Sequence, residues 1–333
     1  MRPSILGNRD NASLRGASAA GAAPRRRGSG LNRERLRTTF EQVAELYDRA
    51  RPGYPPQVFD DLVSLAQLHA GARVLEIGCG TGKATRDLVA RGLDVTCVEL
   101  GDDLAAVARR NLPEAEIVTA NFETWEPERA EFDAVVAFTA FHWVDPGLRY
   151  EKCARLGRAL AVVGTHHVSP EGSDPFFAEV QEDYGAVRPE EERDPPGPPD
   201  TVEGLRAEIE ASGAFAHVAE RRYVWEQEYD AQSYVDVLDT YSGHRALDEP
   251  RRNELYERIR RRIEARPGGV VRRRTSRRWT SLRVGPAHLV ERVAALLVHP
   301  APSLLRVEVD RRLPCVELVA VVLDVPGLGE LRP

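Results

Sequence analysis

The chain is short of several residue types, and each shortage excludes something. Of 333 residues, four are cysteine, one is methionine and two are lysine. Cys79, Cys97, Cys153 and Cys315 are widely spaced and form no Cys-x-x-Cys pair, so neither a zinc site nor a disulfide framework is expected. No metal is expected, and the setting reads as reducing and cytoplasmic. No run of eighteen apolar residues occurs, so no membrane span is expected. Positive charge is not in excess. The net charge is −6, unlike that of a general nucleic-acid binder, and no nucleic-acid partner is expected. Lys83 and Lys152 are the only lysines, and with abundant Ala, Gly and Pro this reads as the product of a GC-rich gene. Internal repeats are absent as well.

What is present centres on Val74 to Thr85, Val-Leu-Glu-Ile-Gly-Cys-Gly-Thr-Gly-Lys-Ala-Thr. Val74, Leu75 and Ile77 predict a buried strand, and Lys83 to Ala90 a helix. Gly78, Gly80 and Gly82 between them predict a turn that brings backbone N–H groups up to a ligand. Open α/β sheets bind ligands at this carboxyl end of their strands. A P-loop is excluded, because only three residues separate Gly78 from Gly82 and Ala84 follows Lys83. A dinucleotide fingerprint would need Gly or Ala where Lys83 stands. Leu93 to Val98 predicts a second strand ending in Glu99, an acid placed to bind ribose hydroxyls. Ile117 to Ala120 predicts a third strand, leading into Asn121 and Phe122. Phe132 to Phe138 predicts a fourth, followed by Thr139-Ala-Phe-His-Trp-Val-Asp-Pro146.

The Glu-x-Gly-x-Gly-x-Gly pattern at Glu76 to Gly82 resembles the first motif of class I S-adenosylmethionine-dependent methyltransferases. The His142-Trp-Val-Asp-Pro146 run resembles their small-molecule type 11 domain group, which includes trans-aconitate-like enzymes. The resemblance covers roughly Thr38 to Val271. It implies a Rossmann-like, doubly wound α/β fold with a seven-stranded, mostly parallel sheet. It also implies S-adenosylmethionine as cofactor and a small-molecule acceptor methylated on O, N or C. Cofactor contacts would come from Glu76, Gly78, Gly80, Gly82, Glu99, Leu100 (packed on adenine), Asn121 (on the adenine amino group), Phe122 and Phe138. Tyr47, Arg51 and Tyr54 belong to a segment expected to fold over the cofactor, with Arg51 suited to a carboxylate. Acceptor contacts would come from Tyr54, Trp143, His167 and His244. His142 is the candidate general base, since an unperturbed imidazole titrates near neutrality. His166 and His167 adjoin on one strand, so at most one faces the pocket. Two other classes stay open: a nicotinamide-dependent oxidoreductase, and a non-catalytic relic that binds the cofactor.

Around this centre, residues 1–35 are rich in Ala, Gly, Ser and Arg, and are expected to form a disordered extension. The methyltransferase domain is expected over 36–284. Within it, 166–200 should be an insertion capping the acceptor pocket. Residues 285–333 make an atypical tail. The seventh strand of such a fold lies inside the sheet, yet after Val271 this chain continues Arg-Arg-Arg-Thr-Ser-Arg-Arg-Trp-Thr-Ser-Leu. Buried arginines need partners. Written in GC-rich codons and shifted by one base, Arg274 to Val284 reads Tyr-Leu-Ala-Ala-Leu-Asp-Val-Ala-Pro-Arg, a typical apolar strand. An out-of-frame tail, with a defective seventh strand, is therefore expected alongside the rival of a genuine extension with strands between Leu304 and Val325.

Overall fold

The computed structural model describes residues 43–284, apart from 129–130, 170, 191–194 and 199–204, together with 306–308 and 320–322. The expected disordered extension lies outside the described residues, as do most of the tail and part of the 166–200 insertion.

Seven strands form one sheet: β1 (Arg73–Ile77), β2 (Asp94–Glu99), β3 (Glu116–Thr119), β4 (Phe132–Phe138), β5 (Gly157–His167), β6 (Phe215–Asp230) and β7 (Val270–Val284). Their order across the sheet is β3-β2-β1-β4-β5-β7-β6. The pairs from β3 through to β5 are all parallel, and β7 runs antiparallel to both of its neighbours. The doubly wound, mostly parallel sheet is as expected. Its central strands read as continuous apolar runs because both faces are covered. Val74, Ala134, Val136, Phe138, Ala159, Ala161 and Val163 pack on one face with α2 (Pro56–Leu65) and α3 (Lys83–Val89). Leu75, Ile77, Val135, Ala137, Leu160 and Val162 point the other way, against α5 (Arg149–Leu156) and Ile209. Two further helices are α1 (Ala44–Ala50), ahead of α2, and α4 (Asp102–Asn111), which follows β2.

A third core lies beyond the strand ends. Phe176, Phe177, Val180 and Val187 come from the insertion, which holds two short helices, α6 (Phe176–Glu179) and α7 (Gln181–Val187). They pack with Tyr234, Val235 and Leu238 of α9 (Ala231–Leu238), and with Leu255, Ile259 and Ile263 of α11 (Glu249–Glu264). Between β5 and β6 also lies α8 (Arg206–Ser212), and between α9 and α11 the short α10 (Ser242–Arg245).

The expected defect in the seventh strand does not appear in its backbone. β7 pairs with β5 from Thr275 to Arg283 and with β6 along nearly its whole length. Alternation separates the three arginines Arg272 to Arg274, which pair with β6 alone. Arg272 and Arg274 face outward and bond Glu228 (3.1 Å) and Glu226 (2.9 Å), their direct neighbours on β6. Arg273 points the other way. Two short tail strands, β8 (Arg306–Glu308) and β9 (Ala320–Val322), pair only with each other.

Candidate active site

The carboxyl ends of β1, β2, β4 and β5 open into a cavity of about 320 Å³. Gly78 and Gly80 line it directly, with backbone φ of +66° and +59°, values that a side chain rarely adopts. Glu99 ends β2 in the cavity wall, 7% exposed. Its two oxygens accept the Gly80 N–H (2.8 Å) and the Gly101 N–H (2.9 Å). The acid thus braces the glycine turn through both of its oxygens. Val98, Leu100, Leu104 and Phe122 add an apolar wall on the β2 side. Phe138, Thr139, His142, Trp143, Thr165 and His167 line the β4–β5 side, and Tyr47, Arg51, Tyr241 and Arg273 also reach it.

A smaller cavity of about 70 Å³ adjoins, sharing Tyr47, Arg51, Gly78, Phe138, Thr139, Thr165, Tyr241 and Arg273. Tyr54 and Glu76 line this one. Glu76 is fully buried and accepts the Thr85 hydroxyl at 2.7 Å. Burial pushes its carboxyl up to about 7; the Thr85 bond opposes the rise and the nearby Glu99 charge adds to it.

The structure brings most of the expected residues together, and displaces three. Gly82 lines neither cavity: it begins α3 at φ +87°, and a Cβ there would sit 2.3 Å from Leu112 Cδ1. Its lack of a side chain serves helix packing. Asn121 is flanked by cavity residues Ala120 and Phe122, but its own Oδ1 accepts the Glu123 N–H at 3.0 Å, capping the turn after β3. His244 is buried away from both cavities, stacked on Tyr256 and 3.1 Å from the Tyr184 hydroxyl. The expectation that it contacts the acceptor is corrected: its loop turns into α10 and points the ring into the third core.

The remaining polar groups have defined surroundings. Of the adjacent histidines, His167 lines the cavity and His166 does not. Burial, with the Arg273 charge adding to it, pushes His167 down to about 2, so it is a neutral imidazole and a weak base at pH 7. Arg51 donates to Thr240 Oγ1 (2.7 Å) and Thr240 O (3.0 Å) and stacks on Tyr241. Sequence reasoning passed over Thr139. It has φ +60°, a strained value for a β-branched residue. Its hydroxyl is 3.2 Å from that of Tyr54 and 3.1 Å from that of Thr165. The only hint was its place directly after β4. Tyr241 and Arg273 were also missed as site residues; the pairing of β7 that places Arg273 is non-local.

Residues 74–164 match the family model of a methyltransferase domain. An uncharacterized methyltransferase of Mycobacterium tuberculosis is 36% identical over 127 residues, 38% of this chain and 51% of that protein. A trans-aconitate 2-methyltransferase of Paracidovorax citrulli is 32% identical over 120 residues, 35% of this chain and 43% of that protein. The chain thus spans about half the length of the curated relatives it matches. Among solved structures, a putative type II methyltransferase from Anaeromyxobacter dehalogenans aligns over 71% of this chain and 99% of its own. Its TM-score is 0.51 at 20% identity, a likeness of fold.

Proposed function

We propose, from the match of residues 74–164 to a methyltransferase domain, that the chain is a class I enzyme that transfers a methyl group from S-adenosylmethionine to a small-molecule acceptor. The observation that carries this reading is Glu99, a buried acid in the cavity wall that also holds the Gly80 N–H. The residues present fit the cofactor. Gly78 and Gly80 leave a wall without side chains, and a Cβ on Gly78 would overlap that of Ala140 at 2.7 Å. Glu99 would hold the ribose hydroxyls, Leu100 and Phe122 the adenine, and Tyr47 and Arg51 the amino-acid end. Bound there, the cofactor supplies an activated methyl group on a sulfonium.

The chain's own work is then alignment, which contributes roughly 7–11 kcal/mol of barrier lowering in well-oriented systems. Phe138, Thr139, Trp143, Thr165 and His167 would form the acceptor side. His142 is the base for acceptors that carry a proton, adding about 10²–10⁴-fold; His167 is too weakly basic for that role. Cys79, Cys97 and Cys153 are free thiols, in keeping with a cytoplasmic site of action. Calorimetry with S-adenosylhomocysteine, followed by a small-molecule library incubated with labelled S-adenosylmethionine, tests the proposal. No binding of either cofactor form would reject it.

A further inference from the structure

Among the described residues, Arg273 is a cation that bonds no acid. It lines both cavities. Its Nη1 donates to the Tyr241 hydroxyl at 2.8 Å, and its Nε is buried with no hydrogen-bond partner among the described residues. The groups around it are the tyrosines Tyr241, Tyr234 and Tyr229. Its neighbours Arg272 and Arg274 each reach a glutamate on β6; the residue across from Arg273 is Gln227. A second guanidinium, Arg51, stands over the same Tyr241 ring, with its Nε and Nη2 bonds going to neutral Thr240 atoms. Two positive charges therefore share one partly enclosed space, where the acids Glu76 and Glu99 bond the Thr85 hydroxyl and the backbone N–H groups of Gly80 and Gly101. A half-buried cation without a counter-charge is costly, and an anion entering the cavity would lower that cost.

The position of Arg273 says which anion. Thr275 pairs with His167 across β5 and β7, so Arg273, two residues along, shares their side of the sheet. In the order β2-β1-β4-β5-β7, β7 is four strands from the one that ends in Glu99, about 19 Å at roughly 4.8 Å per strand. Arg273 lies toward the acceptor side, next to His167, Thr165 and Tyr241.

We propose that Arg273 holds a carboxylate of the acceptor, and that this carboxylate is a handle, with the methyl group going to another atom of the same molecule. The inference rests on the methyl-transfer reading above. A guanidinium fork engages carboxylate lone pairs with two N–H groups. Those two bonds draw the carboxylate's charge toward the guanidinium and lower its nucleophilicity, so a carboxylate seated on Arg273 is recognised and is not the nucleophile. The acceptor is accordingly a small acid with a separate O, N or C nucleophile placed toward His142 and Trp143.

Calorimetry on the full chain tests this with acetate, benzoate and succinate against the matching amides and inorganic phosphate, with and without saturating S-adenosylhomocysteine. At least one acid should bind and its amide should not. Arg273→Gln should weaken that acid by about tenfold or more, leave S-adenosylhomocysteine affinity unchanged, and be partly rescued in Arg273→Lys, which keeps the charge without the fork. Equal binding of acid and amide, binding of phosphate alone, binding of no acid, or an acid affinity untouched by Arg273→Gln would each overturn the proposal. Weaker S-adenosylhomocysteine binding with unchanged acid binding would assign Arg273 to the cofactor instead and overturn it too. If Arg273→Gln does not fold, the acid–amide comparison and Arg273→Lys decide. Incubation of the bound acid with labelled S-adenosylmethionine should yield no base-labile methyl ester; an ester would overturn the handle. Failure to bind S-adenosylhomocysteine rejects the methyl-transfer reading separately, because acid binding without it still reads the anion site.

Discussion

A single buried carboxyl gives the molecule a pH signature. Glu76 has its folded-state pKa raised from 4.5 to about 7, chiefly by burial. The folded state therefore binds its proton more tightly than the unfolded state does. Its contribution is most favourable below pH 4.5, falls as pH rises through the window to about 7, and is level above that. The full change is about 3 kcal/mol. His167 slopes the other way: its depressed pKa makes stability rise with pH up to 6.5. The two overlap, so wild type alone does not separate them. Urea unfolding of wild type and Glu76→Gln at pH 5 and pH 8 should show the variant gaining relative stability at the higher pH; parallel curves would remove Glu76 as the cause. Glu99 invites a second substitution. Glu99→Ala removes the brace on Gly80 and the proposed ribose contacts, charged hydrogen bonds of about 1.5–3 kcal/mol each. S-adenosylhomocysteine affinity, measured by calorimetry, should drop by about tenfold or more. Unchanged affinity would take Glu99 out of the site.

At the scale of elements, the junctions decide what each residue does. The start of α3 needs a residue with φ +87° and no Cβ, because Leu112 closes over Gly82. Gly82→Ala should destabilise by about 1–3 kcal/mol through overpacking, more with the backbone strain, as read by chemical denaturation. A wild-type midpoint would show that Leu112 yields freely. The start of α10 has the opposite lesson. His244 faces Tyr184 and Tyr256, so His244→Ala should lower stability by roughly 1–3 kcal/mol while acceptor and cofactor affinities hold. A selective loss of acceptor binding would return His244 to the site. β6 and β7 are joined beyond the end of β5 by the cross-strand pairs Arg272–Glu228 and Arg274–Glu226.

For the molecule as a whole, the three cores divide the work. The cores on the faces of the sheet hold the strand ends in register beneath the cavity. The third, made from the insertion and the helices between β6 and β7, carries Tyr241 over the cavity's outer side. Trp143→Ala should impair methyl transfer and spare cofactor binding, since Trp143 lies on the acceptor side; steady-state kinetics beside calorimetry would separate the two. Loss of cofactor binding with acceptor kinetics intact would contradict that placement. All seven strands of the main sheet end by Val284. A chain stopped there should keep S-adenosylhomocysteine binding and its melting temperature, and a large loss of either would make 285–333 part of the domain. The frame-shift proposal for the tail is checked by sequencing the gene: codons whose shifted text is not apolar end it.

Local chemistry was legible in the linear order. Apolar runs bounded by glycines and acids marked β1, β2 and β4, because parallel strands buried on both faces tolerate little else. The glycine turn and Glu99 sit about twenty residues apart, and adjacent parallel strands bring both to one edge, so much of the cofactor side could be read directly. Which way a side chain points within a turn could not. Asn121 and His244 have the right chemistry near the right place, yet a local hydrogen bond captures one and a distant aromatic cluster the other. Nor could the arginines of β7 be judged from their own segment. The partners of Arg272 and Arg274 lie 44 and 48 residues away on β6, and strand alternation sends these two to glutamates and Arg273 between them to the cavity. Pairing between strands distant in sequence is set by the closure of the whole sheet, and only the tertiary structure decides which charge is neutralised and which one waits for a ligand.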